Sequence, residues 1–280
     1  MAELLSQLHA RYKLNSQPPQ HPQRAPSPGM MAVTGCAVGV LMARQLWLIA
    51  TALDAPSPQP AFNTHPPVRR ARLLVAGDST GVGVGVQHAA LSLAGLMGTE
   101  FTALEVVNTA RSGARVRDTL AQVNTLLLSG ERFDVALLFA GGNDVLRFTT
   151  PRSLHHAAIS ALTALKGVAT CVVWMGCADM GSAPMLLPPV SWWLGWRSRR
   201  TMAWLKQVAA QQDVEFIDFC DRHHTLEFAD KPALYFAADG LHPSGAAHRH
   251  CFETLKRRLH AMGIRTDAWT ANSHPALAST

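Results

Sequence analysis

Three side chains suited to nucleophilic chemistry stand in short, glycine-bearing runs. Ser79 lies in Gly77-Asp78-Ser79-Thr80, and Asp239 and His242 lie in Asp239-Gly240-Leu241-His242-Pro243. A serine hydroxyl is a weak nucleophile until a base takes its proton. An imidazole titrates near neutral pH and suits that role. A carboxylate three residues earlier, in one tight turn, can accept the Nδ1–H of His242 and hold its tautomer. Such a trio performs acyl transfer, whose tetrahedral oxyanion needs preset donors. The candidates are the backbone N–H groups of Ser79 and Gly113 and the side-chain amide of Asn143, in Gly141-Gly142-Asn143-Asp144. Glycine at 113 lets the backbone approach closely.

Residues so far apart in sequence need a scaffold that gathers them. Five apolar runs, 72–76, 101–107, 135–140, 170–175 and 214–219, read as strands. Between and after them, 87–97, 116–128, 154–165, 202–211 and 245–261 suit helices. Strand–helix alternation implies a mostly parallel five-stranded sheet covered on both faces, an α/β fold of the three-layer α/β/α sandwich type. Ligands bind beyond the carboxyl ends of such strands. The reactive runs follow the first, second, third and fifth strands, so one rim can hold them all.

G-D-S after the first strand, a glycine after the second, G-x-N-D after the third and D-x-x-H-P near the C-terminus resemble the SGNH/GDSL hydrolase pattern. Its four named residues map onto Ser79, Gly113, Asn143 and His242. The resemblance spans roughly 72–262. It implies a flavodoxin-like hydrolase fold, a serine esterase or lipase activity on a small-molecule ester, and Asp239 as the third triad member. Thr80 stands where the family's short name has leucine. Thioesterase and carbohydrate O-acetylesterase activities use the same triad and are alternatives. A catalytically silent acyl- or glycan-binding module is an alternative of another class, against which the intact Ser79, Asp239 and His242 speak.

Each run has a plainer reading. Ser79 alone would be a helix N-cap, and Asp78 a local turn bond. Asn143-Asp144 and Asp239-Gly240 would be turns. Gly81, Gly83 and Gly85 after a strand invite a nucleotide site, but no Gly-Lys-Ser/Thr follows and the spacing misses G-x-G-x-x-G. His88, His155 and His156 read as surface or packing residues.

The composition permits a large core: 48% of the 280 residues are hydrophobic and 16% charged. The net charge of +6 comes from scattered small clusters with no nucleic-acid motif. Five cysteines in no C-x-x-C pair argue against a disulfide framework or zinc site. No metal, cofactor, nucleic acid or protein partner is expected.

Residues 1–29 read as a disordered polar tail, and Met30 or Met31 is an alternative start. The apolar stretch 30–53 has the length of a membrane span, which predicts membrane association. A signal peptide cut after Ala50-Thr51-Ala52 predicts export, and an amphipathic helix packed on the domain predicts a cytoplasmic protein. Residues 54–70 read as a Pro-rich linker, 71–265 as the domain and 266–280 as a tail. The segment 178–200, with Met180, Leu186, Trp192, Trp193 and Trp196, reads as an acyl-binding wall, a membrane-facing patch or a buried helix. Trp192 and Trp193 are the substrate-binding candidates.

Overall fold

The structure is a computed structural model, and it describes residues 39–45, 47–51 and 60–271. Strands β1 (Ala71–Gly77), β2 (Leu104–Asn108), β3 (Phe133–Phe139), β4 (Ala169–Met175) and β5 (Glu215–Ile217) form one parallel sheet in the order β2-β1-β3-β4-β5. From β1 onward the helices in chain order are α1 (Ser79–Val82), α2 (Leu93–Glu100), α3 (Thr119–Leu128), α4 (Gly142–Leu146) and α5 (Pro151–Val168). They continue with α6 (Val190–Gln211), α7 (Arg222–Asp230), α8 (Pro232–Tyr235) and α9 (Gly245–Ala261). This is the expected three-layer α/β/α sandwich.

The strands are continuous apolar runs whose side chains point alternately to the two faces, so both faces of the sheet must be covered. Leu73 and Val75 of β1 join a core with Leu93 and Met97 of α2 and with Phe252, Leu255 and Leu259 of α9. Leu74 and Ala76, pointing the other way, are equally buried, on the face covered by α3, α5 and α6. Local signals set the helix ends. Thr150 caps α5 by accepting the Ser153 N–H at 3.3 Å, and Pro151 occupies its first turn. Ser244 caps α9 by accepting from Ala247. Strand order reverses between β1 and β3, and a crevice opens at such a switch point.

Four stretches differ from their sequence reading. From Pro60 onward the Pro-rich stretch is packed along β2. Thr64 and Val106 exchange two backbone bonds of 3.0 Å, and Asn63 Oδ1 accepts from Asn108 N at 2.8 Å. Burial would raise the Glu105 carboxyl, but bonds from His65, Arg72 and Arg69 hold it below its ordinary range. An edge strand leaves ladder groups unpaired, and this segment supplies partners for them. At the other end, Trp269 is buried against Phe101 edge-on at 5.7 Å, so part of the expected tail belongs to the core. Phe101 itself ends α2, and β2 begins only at Leu104.

The fourth stretch is the apolar segment 30–53. Among the described residues no helix is long and apolar enough to cross a membrane, so the expected anchor is not supported. Residues 47–51 are helical, with Ile49 buried. The buried Gln45 accepts the Leu187 N–H at 2.9 Å. Gln45 interrupts the apolar run because it has a backbone partner, and the packed-helix alternative fits these residues. The tail 1–29, residues 30–38, 46 and 52–59, and the last nine residues lie outside the described ones.

One packing contact bears directly on the end of β1. The buried Gln122 of α3 accepts from Gly77 N (2.7 Å) and donates to Gly77 O (2.8 Å). Its amide supplies the neighbour that β2, ending at Asn108, no longer provides. Gln122→Leu, close in shape, leaves the buried Gly77 N–H without that acceptor. We expect a loss of about 1–3 kcal/mol, read as a lower urea midpoint with an unchanged slope.

Candidate active site

Gly77 turns the chain out of the sheet. Its φ is +121°, and a Cβ there would lie 1.9 Å from Phe139 O. Only glycine fits this backbone. Asp78 follows in extended conformation, donates its N–H to Phe139 O at 2.7 Å and accepts from Thr80 N at 2.9 Å. The N-cap of α1 is therefore Asp78, and Ser79 is the first helical residue. Its N–H belongs to the first turn, where helical N–H groups have no intrahelical partner.

Ser79 Oγ lies 3.2 Å from His242 Nε2, and His242 Nδ1 lies 2.6 Å from Asp239 Oδ2. The other carboxylate oxygen, Oδ1, accepts from Leu241 N (2.9 Å) and His242 N (3.0 Å). Burial would raise the Asp239 carboxyl, but the bonds from His242 and Leu241 bring it down to about 2. It stays ionised at any working pH and favours the Nδ1–H tautomer, which leaves Nε2 as the acceptor facing Oγ. Gly85 makes room for this loop. A Cβ there would meet Pro243 O at 2.4 Å and His242 Cβ at 3.1 Å. The glycines that resembled a nucleotide loop thus serve close packing.

The oxyanion candidates face the same cleft. Ser79, Gly113, Asn143 and His242 line a cavity of about 70 Å³. Gly113 has φ +74°, in the region that favours glycine. Asn143 Nδ2 donates to Ala114 O at 2.8 Å, which leaves its second N–H for a ligand. Asp144 is more than the turn residue its sequence suggests: it is buried and its Oδ2 accepts Val116 N at 2.9 Å. Consecutive side chains of α4 therefore grip the loop that carries Gly113. Burial pushes the Asp144 carboxyl upward.

A second cavity, of about 100 Å³, adjoins the first and shares Asp78, Thr80, Cys177, Met180, Leu241 and Pro243 with it. Its other walls are mainly apolar, with Phe139, Met175, Phe219, Phe228 and Ala247. Sequence periodicity hid it, because its walls come from many separate stretches of the chain. Trp192 and Trp193 line neither cavity. They lie on the solvent face of α6, 71% and 46% exposed. The substrate-binding role expected of them has no support in this geometry.

The sequence also did not single out His248. Burial pushes it down to about 4, with the His242 charge adding to the effect. Its Nδ1 accepts from Leu93 N at 3.2 Å. It is neutral near pH 7, so no second positive charge opposes a charged His242.

A parallel sheet bearing a serine–imidazole–carboxylate row at its switch point defines an α/β/α domain with a candidate hydrolytic site. The model of the GDSL-like lipase/acylhydrolase family matches residues 75–250, and the chain belongs to that family of hydrolases. Among solved structures, a member of the lipolytic protein G-D-S-L family from Veillonella parvula is similar, with TM-score 0.54 and 18% identity over 66% of this chain and 96% of its own. The structure named TesA gives 0.51 and 23%, covering 68% and 99%. A variant of Axe2, an acetyl xylan esterase from Geobacillus stearothermophilus, gives 0.51 and 20%, covering 71% and 97%. These likenesses establish the fold. No curated protein matches the chain.

Asp78 offers a test of the site's electrostatics. Burial raises its carboxyl to about 6, against an ordinary 3.8, with Thr80 and His242 opposing the rise. The folded state then binds the proton more tightly than the unfolded one. Stability from this group is complete below pH 4 and is lost as pH rises through 6. Asp78→Asn cannot ionise, and its Oδ1 can still accept from Thr80. Relative to the native protein, the variant should gain on the order of 2–3 kcal/mol between pH 4 and pH 7, measured by denaturant melts at both pH values.

Proposed function

We propose that the protein is a serine esterase that cleaves small carboxylic esters through an acyl-enzyme on Ser79. The observation that carries this reading is the row Ser79 Oγ, His242 Nε2, His242 Nδ1, Asp239 Oδ2, with contacts of 3.2 and 2.6 Å. His242 takes the hydroxyl proton as Oγ attacks the ester carbonyl, and Asp239 stabilises the imidazolium that forms. The oxyanion is received by the N–H groups of Ser79 and Gly113 and the free N–H of Asn143. His242 then hands its proton to the leaving alcohol, and water repeats the sequence to release the acid.

The apolar cavity beside Ser79 supports an acyl group longer than acetyl. A dry cavity of roughly 150 Å³ holds a benzene ring, so one of about 100 Å³ suits a short hydrocarbon chain. This favours acyl esters over acetylated sugars, for which an apolar recess beyond the carbonyl has no use. Thioesters share the acyl half and remain the second reading.

Ser79→Ala should abolish hydrolysis of an aryl ester and labelling by a fluorophosphonate probe while the melt is unchanged. Turnover at the native rate would remove the serine mechanism. Across aryl esters of growing acyl length, kcat/KM should rise a few-fold per carbon, about 0.8 kcal/mol per buried methylene, and then fall once the cavity is full. A flat profile would remove the cavity from the substrate's path.

A further inference from the structure

We propose that the N-terminal half of α6 is a docking face for an anionic phospholipid surface. The face is distinct from the catalytic cleft, and the inference does not depend on which bond the enzyme cleaves. Helix α6 is inverted relative to an ordinary surface helix. Its buried side carries Ser191, Leu194, Gly195, Ser198 and Met202, while Trp192, Trp193 and Trp196 point to solvent, 71%, 46% and 52% exposed. The Phe148 ring, also exposed, extends the patch at 5.2 Å from Trp193. Contiguous exposed aromatics on a soluble domain mark a binding surface. Tryptophan in particular partitions to the membrane–water interface, where an amphipathic ring meets headgroups.

Charge selects the occupant. From 145 to 212 the sequence has seven Lys and Arg and a single acid, Asp179. That acid is buried and paired with Arg199, so it offers no negative charge to the surface. Arg197 lies over the Phe148 and Trp193 rings at 5.4 and 6.0 Å, and Arg200 over the Trp196 ring at 5.6 Å. Aromatic rings interleaved with cations, and no exposed acid among them, complement an anionic headgroup layer over apolar chains. A protein partner of ordinary mixed charge would leave these cations unmatched.

The test uses the full chain with sedimenting vesicles of phosphatidylcholine alone or of equimolar phosphatidylcholine and phosphatidylglycerol. The native protein should bind the anionic vesicles at least about tenfold more tightly than the neutral ones, with the preference shrinking as salt is raised. Trp192→Ala with Trp196→Ala should weaken anionic binding about tenfold or more at an unchanged melting temperature. Arg200→Gln, a single exposed change that spares the fold, should weaken it several-fold. Native-like binding by both variants would overturn the proposal, as would binding indifferent to lipid charge or no binding at all. A solution dimer that falls apart in the double variant would also overturn it, since a second copy would then cover the face.

Discussion

Everything at the site depends on how the chain leaves β1. Gly77 adopts a backbone that side chains rarely take, and the Phe139 carbonyl occupies the space a Cβ would need. The sharp turn aims Asp78 and Ser79 out of the sheet at the carboxyl edge. Three polar contacts hold it: Gln122 brackets Gly77, Asp78 N donates to Phe139 O, and the Asp78 carboxylate receives Thr80 N. The 3.2 Å contact between Ser79 Oγ and His242 Nε2 persists only if this turn holds its position closely. A turn with one sterically permitted residue and four hydrogen bonds supplies that rigidity.

The remaining site residues are held by the same device of backbone gripped by buried side chains. Asp239 fixes its own turn with one oxygen and orients His242 with the other. Asn143 and Asp144 grip opposite ends of the loop after Gly113. Each carboxylate serves a different need. Asp239 is bonded into permanent ionisation, whereas Asp78 and Asp144 are buried where charge is disfavoured. Their environments push them apart, and of the three only Asp239 is bonded to the His242 imidazole.

The two apolar features separate in space. The apolar recess lies between the sheet edge and the C-terminal helices, beside Ser79, while the exposed tryptophans sit on the outer face of α6. A chain that carried both apolar features on one wall would have to choose between burying an acyl chain and meeting a larger surface. Here the two are carried by different elements.

The sequence by itself determined the layered α/β class, because strand–helix alternation and continuous apolar runs are local properties that any packing must respect. It also pointed to the reactive blocks, since glycine at a positive φ and a carboxylate three residues before an imidazole are short-range requirements. Tertiary structure alone decided the rest. Helix α6 has apolar residues on both faces, so periodicity does not say whether small Gly195 and Ser198 or large Trp192 and Trp196 turn inward. The turn after β4 decides, by admitting the small side of the helix to close packing of Gly195 against Gly181. Gln45 looks like a flaw in an apolar run until Leu187, far along the chain, offers it an N–H. Asp144 looks like half of a turn until the loop after Gly113 arrives. Each of these contacts joins residues distant in sequence, and nothing in the local pattern records its partner.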